Sequence, residues 1–448
     1  MLARLKGCLT TLARFVMVMA EGLAALVWLI AKGAGVFAKG GKAALAPFFT
    51  AAATQEKGFA VLRAFWPNLS LKAVLMKAYD NTGTAVVTRH EDCIDVLNRN
   101  ADFEVVYGPR MRKLTGGENF FLGMQPGWDY TRDTSAMRLA ARRPDVAEVV
   151  LPRAAQLADE IVTGAGGRID AVPELFLQVP WDMTDTYFGV GGERETMQDW
   201  TTVLFWYLFE DLPADPELDT RAMRCAAGLR DYLDSAIADR KAAPDDRPQI
   251  LNRCLALQGA GTPGMDDLGI RNNLLGLLIG AIPTISKACC LALDELLNRP
   301  EELAAAQRAA RSNDPVFEQF IWEALRFNPH NPVIYRRALH DTVVARSTLR
   351  EAKIRKGQIV FAATLSAMFD RYRISDPNSF RTDRAWEDYI IWGYGMHTCF
   401  GAAINKAVIP AILKPLIAQP NLRRAEGPAG QIDTGGTPHP QHFHLLYD

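Results

Sequence analysis

No two of the seven cysteines stand in a Cys-x-x-Cys pair, and their number is odd. That pattern supports neither a disulfide framework nor a zinc–thiolate site, and it points to a reducing compartment. Neither sign of charge is in excess: 50 Lys and Arg against 51 Asp and Glu leave a net charge of −1. A protein that binds phosphate backbones carries a basic surplus, so nucleic acid is not an expected partner. Internal repeats and low-complexity tracts are absent too, which sets solenoids and disordered tails aside. An unbroken apolar run of bilayer length is also missing from the first 50 residues, where the longest uncharged run, Gly22–Ala31, has ten residues. About 20 are needed to cross, so a span is not expected. What is there is a 448-residue chain, 49% hydrophobic and 23% charged, with enough apolar material for one large domain or two merged lobes. Adjacent Cys289 and Cys290 fall on a helical pattern and read as packing residues.

The N-terminal segment carries six basic residues and one acid in its first 50 positions. On a helix advancing ~100° per residue, Arg14, Glu21, Lys32 and Lys39 fall close to one line, leaving Leu12, Phe15, Val16, Met19, Leu23, Leu26, Val27 and Ile30 on the rest of the surface. Two readings stay open: an interfacial helix lying on a membrane, or a helix packed on the protein body or a partner. No convincing small-residue cleavage site follows. We therefore divide the chain into a helical segment, 1–59, and a globular domain, 60–448, and expect a cytoplasmic protein, with peripheral membrane contact through the first segment under the first of the two readings.

One stretch near the C-terminus is built around a single sulfur: Trp392-Gly393-Tyr394-Gly395-Met396-His397-Thr398-Cys399-Phe400-Gly401. Gly393 and Gly395 permit positive φ and close approach to a flat ligand, and Gly401 leaves no side chain against it. A helical pattern begins at Ala402, so Cys399 stands just before a helix N-terminus whose free N–H groups and dipole favour a thiolate. His397 can donate to a ligand carboxylate, and Trp392 can pack against a ring edge. A cysteine alone reads as a small core hydrophobe. The spacing of aromatic, Gly, His, Cys and Gly makes this one a metal-ligand candidate.

The loop resembles the haem-ligand loop of the cytochrome P-450 superfamily, an aromatic followed by Gly-x-His/Arg-x-Cys-x-Gly, with Trp392 in place of the usual Phe. The resemblance covers about residues 84–448. It implies a mainly α fold with a smaller β-rich region, and haem b held by Cys399 between a long distal helix and the cysteine loop. Trp128 and Arg132, four apart at a helix start, resemble the family's Trp/His-x-x-x-Arg pair, which implies a bond to a haem propionate. Arg336, within Pro332–Ala338, resembles the family's strand arginine that meets a propionate. Glu323 and Arg326 resemble the Glu-x-x-Arg pair that braces the core behind the haem loop. Asp376-Pro377-Asn378-Ser379-Phe380 resembles the family's Pro-Glu-x-Phe, with Asn378 replacing Glu.

Asp266-Asp267 caps a helical pattern running roughly from Leu268 to Leu297. Pro283 removes one intrahelical hydrogen bond and crowds the Ile279 carbonyl, so a kink is expected beside Gly280 and Ala281. The corresponding helix of the family crosses the distal haem face with Ala/Gly-Gly-x-Asp/Glu-Thr. Thr284 matches the threonine, and Pro283 takes the place of the acid. The aromatic run from Trp200 to Phe209 suits the roof of an apolar pocket or plain core. Arg138, Arg142 and Arg143 form a basic cluster, a solvated face on its own and, by the resemblance, a docking surface for an acidic electron carrier.

The resemblance implies a monooxygenase that inserts one oxygen atom from O2 into a lipophilic small molecule, with electrons from a separate ferredoxin or flavoprotein. The alternative is an electron-independent isomerase or peroxygenase that takes a fatty-acid hydroperoxide, and a third is a haem-binding protein without turnover.

Overall fold

The computed structural model describes residues 2–448, with side chains described except for those of residues 2–10, Ala46 and Thr50. Helix makes up 60% of the chain and strand 8%, the expected mainly α architecture with a smaller β-rich region. The helices used below are α1 (Leu2–Gly40), α2 (Ala52–Phe65), α3 (His90–Asn98), α4 (Trp128–Ala140), α5 (Arg194–Phe205), α6 (Asp267–Leu297), α7 (Phe317–Phe327) and α8 (Ala402–Ile417). The strands are β1 (Asn68–Leu71), β2 (Thr84–Val87), β3 (Phe103–Glu104), β4 (Arg168–Asp170), β5 (Ile334–Ala338), β6 (Thr342–Val344), β7 (Ala352–Ile354), β8 (Ile359–Ala362), β9 (Arg423–Arg424) and β10 (His444–Leu446). The chain divides into two compact units. The first holds residues up to Met76, Asp80–Glu104 and Arg326–Thr398; the second holds Lys77–Tyr79, Val105–Leu325 and Cys399–Asp448.

The first unit is built on a five-stranded sheet in the order β1-β2-β8-β5-β3. β2 runs parallel to β8, with Thr84 opposite Ile359, and the other pairs are antiparallel. All four residues of β2 are buried, as a strand covered on both faces requires. Val87, Leu97, Phe103, Val360, Met368 and Phe369 belong to its core, each large apolar side chain contributing ~1.5–3 kcal/mol. Asp370 supplies the start of α3 with an anion: its Oδ2 accepts from the His90 backbone N–H at 3.1 Å, and its Oδ1 pairs with Arg89 at 2.9 Å.

Within this unit α1 packs on α2 through Ala25, Leu26 and Leu29 against Ala60, Val61 and Phe65. A Cβ at Gly22 would stand 2.3 Å from the Ala64 Cβ, so glycine is what lets the helices approach so closely. Glu21 accepts from Arg371 Nε at 2.7 Å and Asn378 Nδ2 at 2.7 Å. Glu21 of the polar stripe thus turns toward its own unit, while Lys32 and Lys39 are exposed, as are Leu12, Phe15, Val16, Leu23, Val27 and Ile30. The helical stretch Thr11–Ala44 is long and apolar enough to cross a membrane by length and composition. It meets that measure although its uninterrupted runs are short, because Glu21 is the only charge between Phe15 and Ala31 and it is ion-paired.

In the second unit α6 runs for 31 residues from its N-cap Asp266, whose carboxylate accepts from Gly269 N at 2.7 Å. The helix continues past Pro283, which stands inside it. Cys289 and Cys290 are fully buried on it, as packing residues are. α5 gives way after Phe205 to a wider turn over Trp206–Glu210, with Tyr207 and Leu208 buried. A three-stranded sheet in the order β4-β10-β9 completes the unit.

Candidate functional site

The cysteine loop starts in the first unit. Gly393 and Gly395 take φ of +79° and +73°, and a Cβ at Gly395 would meet Asn98 Oδ1 at 3.1 Å and Leu97 O at 3.2 Å, so both conformation and space call for glycine. The Thr398 N–H and hydroxyl both donate to the Gly395 carbonyl, at 3.1 and 2.9 Å, closing the turn over Gly395–His397. Trp392 leans on Trp386 with ring centroids 5.2 Å apart. Arg336, on β5, is buried, and one of its terminal nitrogens donates to Tyr335 O at 2.9 Å. Burial, and then the Arg336 guanidinium, hold the His397 imidazole down at about 3, so it is neutral at physiological pH. As neutral imidazole it still has one N–H to donate.

Cys399 belongs to the second unit and is half-buried. Gly401 caps α8, and the Ala402 N–H donates to the Cys399 carbonyl at 3.2 Å. Burial pushes the thiol above its ordinary range, and the Gly401 N–H facing the sulfur opposes that. Position before a helix start favours the thiolate and burial disfavours it, so the two act against each other at this sulfur. Asn405 Nδ2 lies 4.0 Å from the sulfur, and Phe400 packs on Phe121 at 5.0 Å.

On α6, Gly280 is exposed, and a Cβ added there would meet nothing within 4 Å. Open space therefore borders the helix at the residue the sequence singled out. The Thr284 hydroxyl, half-buried, donates to the Gly280 carbonyl, while Pro283 is buried and brings no donor. Further along the helix, Lys287 Nζ lies 2.6 Å from Glu210 Oε1, whose other oxygen is 3.0 Å from His439 Nε2. The Phe205 ring stands edge-on to His439 at 5.6 Å. Sequence reasoning missed this charged group. The one cation on the apolar heart of α6 was a signal for Lys287, but nothing in the sequence joins it to positions 77 residues before and about 150 after. Pro283, Ser286, Val203, Thr202, His439 and His442 line a cavity of about 260 Å³.

The remaining site residues are placed as follows. Trp128 and Arg132 do begin α4, but Trp128 is 70% exposed, and Arg132 is held by Asp133 at 2.7 Å and Asp129 at 3.1 Å. Glu323 and Arg326 lie one turn apart on α7, both fully buried. Arg326 donates to Met368 O at 3.1 Å and Pro377 O at 2.7 Å. Arg138, Arg142 and Arg143 are exposed, with no ion pair among the described residues.

A profile of the family described as Cytochrome P450 matches residues 73–414. Among curated proteins, Cytochrome P450 107B1 of Saccharopolyspora erythraea is 27% identical over 288 residues, which cover 63% of this chain and 65% of that protein. Vitamin D3 dihydroxylase of Streptomyces griseolus is 26% identical over 362 residues, 78% of this chain and 83% of that one. Linoleate diol synthase of Gaeumannomyces graminis is 34% identical over 98 residues, 22% of this chain and 8% of that one. Of solved structures, P450BioI in complex with hexadec-9Z-enoic acid ligated acyl carrier protein superposes with a TM-score of 0.75 at 17% identity, covering 89% of this chain and 99% of that chain. That likeness speaks for the fold.

Proposed function

The chain belongs to the cytochrome P450 family, and from that premise we propose that it inserts one oxygen atom into a lipophilic small molecule with electrons from a separate acidic ferredoxin or flavoprotein. The residues fit haem b, the family's cofactor. A half-buried sulfur stands behind a side-chain-free Gly401, a buried guanidinium lies on β5, and open space borders Gly280. In this reading Cys399 holds the iron, and Trp392, Gly395 and Gly401 leave room for the ring. Arg336, Arg132, Trp128 and His397 serve the propionates, and Glu323 and Arg326 brace the fold behind the loop. Haem with thiolate ligation supplies the oxygen chemistry, favouring O–O cleavage.

The observation that carries the monooxygenase reading is Thr284, a hydroxyl kept next to the open face of α6 with its proton held by the Gly280 carbonyl. Since Pro283 contributes neither N–H nor carboxyl, the chain's own proton supply falls to Thr284, Ser286 and the half-buried Lys287–Glu210 pair with buried His439. Exposed Arg138, Arg142 and Arg143 offer a positive landing site for the acidic electron donor. The bare apolar face of α1 is read as peripheral membrane contact.

Pro283, standing where the family's acid is expected, favours a second reading, hydroperoxide conversion without electrons. Two measurements decide. Reduced protein with carbon monoxide should show the red-shifted Soret band of thiolate ligation, and Cys399→Ser should abolish it. Turnover of lipophilic substrates with ferredoxin, reductase and NAD(P)H is then set beside turnover of a fatty-acid hydroperoxide without reductant. Conversion of the hydroperoxide alone would replace the first reading by the second.

A further inference from the structure

We propose that Asp170, His442 and His444 form a binding site for one divalent transition-metal ion of the zinc class, apart from the haem ligands. The argument starts from strand geometry. β4 and β10 pair antiparallel with His444 directly opposite Asp170, and residues directly opposite share a face of the sheet. His442 precedes His444 by two, so on extended backbone it projects to that same face. A bridge between His442 and Asp433 keeps it extended, with backbone bonds of 3.1 and 3.0 Å. The intervening Phe443, and Leu445 beyond, are fully buried, which fixes the alternation.

The three side chains converge. Asp170 Oδ2 lies 2.6 Å from His442 Nδ1 and 3.7 Å from His444 Nε2. One ligand atom from each residue lies within 4.8 Å of the other two. The two imidazole planes are parallel to within 1°, with centroids 6.1 Å apart. Asp170 is itself oriented: its Oδ1 accepts from the Phe443 N–H at 2.9 Å, and its own N–H donates to Glu174 Oε1 at 3.1 Å. Such outer partners fix ligand carboxylates in metal sites.

Zinc–nitrogen and zinc–oxygen bonds of ~2.0–2.2 Å require ligand atoms about 3.3 Å apart in a tetrahedron, which modest side-chain rotation reaches from here. A hydrogen bond between Asp170 and one histidine would not explain the second histidine set at the same carboxylate oxygen. Imidazole and carboxylate suit zinc and its neighbours rather than calcium or magnesium. Three protein ligands leave a coordination position open. Because His442 also lines the cavity beside Pro283, the ion would stand at that cavity's rim, clamping β10 to β4. Cysteine spacing, which argued against zinc, is blind to a site of this kind.

The test uses untagged, haem-loaded full chain, dialysed against chelator and titrated with zinc(II) by calorimetry, with zinc counted per haem by mass spectrometry. One zinc per haem is expected. His442→Ala and His444→Ala, at half-exposed or exposed positions, should each weaken binding more than about 100-fold, since loss of an outer partner alone costs 10–100-fold. The Soret band and metal-free melting temperature should not move, which separates lost binding from lost fold. Cobalt(II) on the wild type gives an independent reading through its visible bands. No zinc retained by the wild type, undiminished binding in the double variant, or thiolate-to-cobalt charge transfer would each overturn the site.

Discussion

Arg326→Met is the perturbation whose cost is easiest to work from the structure. The guanidinium is fully buried, donates to the Met368 carbonyl at 3.1 Å and the Pro377 carbonyl at 2.7 Å, and lies over the Phe327 and Phe369 rings at 4.4 and 4.5 Å. Methionine keeps much of the volume and the apolar stem, so cavity formation is a minor part of the change. Two carbonyls lose a charged donor at ~1.5 kcal/mol or more each, and two ring contacts go at ~1 kcal/mol each. The total is about 5 kcal/mol. Spread over a unit of this size, that lowers its melting transition by roughly 10–20 °C. Circular dichroism melting reads it directly, and Arg326→Lys should recover only part of the loss, because a point charge cannot reach two divergent carbonyls as a fork does. A folded Arg326→Met protein melting within about 3 °C of wild type would refute the reasoning.

Three further outcomes are expected. Burial, and then Arg373, lower the His90 pKa below its ordinary value; the unfolded chain therefore takes up a proton that the folded chain refuses, stability falls as pH drops below about 6.5, and His90→Gln should flatten that slope in denaturation series between pH 7 and pH 5. Replacing exposed Leu23, Val27 and Ile30 with Asn should cut partition into vesicles of phosphatidylcholine and phosphatidylglycerol by about two orders of magnitude, at ~1 kcal/mol per side chain, without moving the melting temperature; equal partition would remove the membrane reading. Charge reversal at Arg138 and Arg142 should slow ferredoxin-dependent turnover most at low salt, and a loss unaffected by ionic strength would point away from electrostatic docking.

Local signals carried much of the fold. The Asp266 cap and the length of α6 were legible because capping and helical periodicity act within a few residues. The cysteine loop was legible for the same reason, since its glycines answer to φ and to near contacts. Side-chain destinations were not. Glu21 lies on a polar stripe whose partner the sequence does not show, and Arg371, 350 residues on, supplies it. At Cys399 the helix position is visible in sequence and the desolvation of the sulfur is not. Lys287, Glu210 and His439, like Asp170 with His442 and His444, assemble from distant stretches, and no periodicity links them.

The parallel pairing of β2 with β8 also bears on how the chain comes off the ribosome. Thr84 must wait for Ile359, some 270 residues later, before its open edge is satisfied. At ~5–20 residues per second, β1 and β2 spend roughly 15–55 s with an apolar strand edge unpaired. The antiparallel β1–β2 pair can form at once, yet the edge that β8 will occupy stays open for the whole synthesis of Val105–Leu325. Nascent chains of this protein should therefore depend on chaperone occupancy of that edge, and shortened chains ending before β8 should aggregate through it.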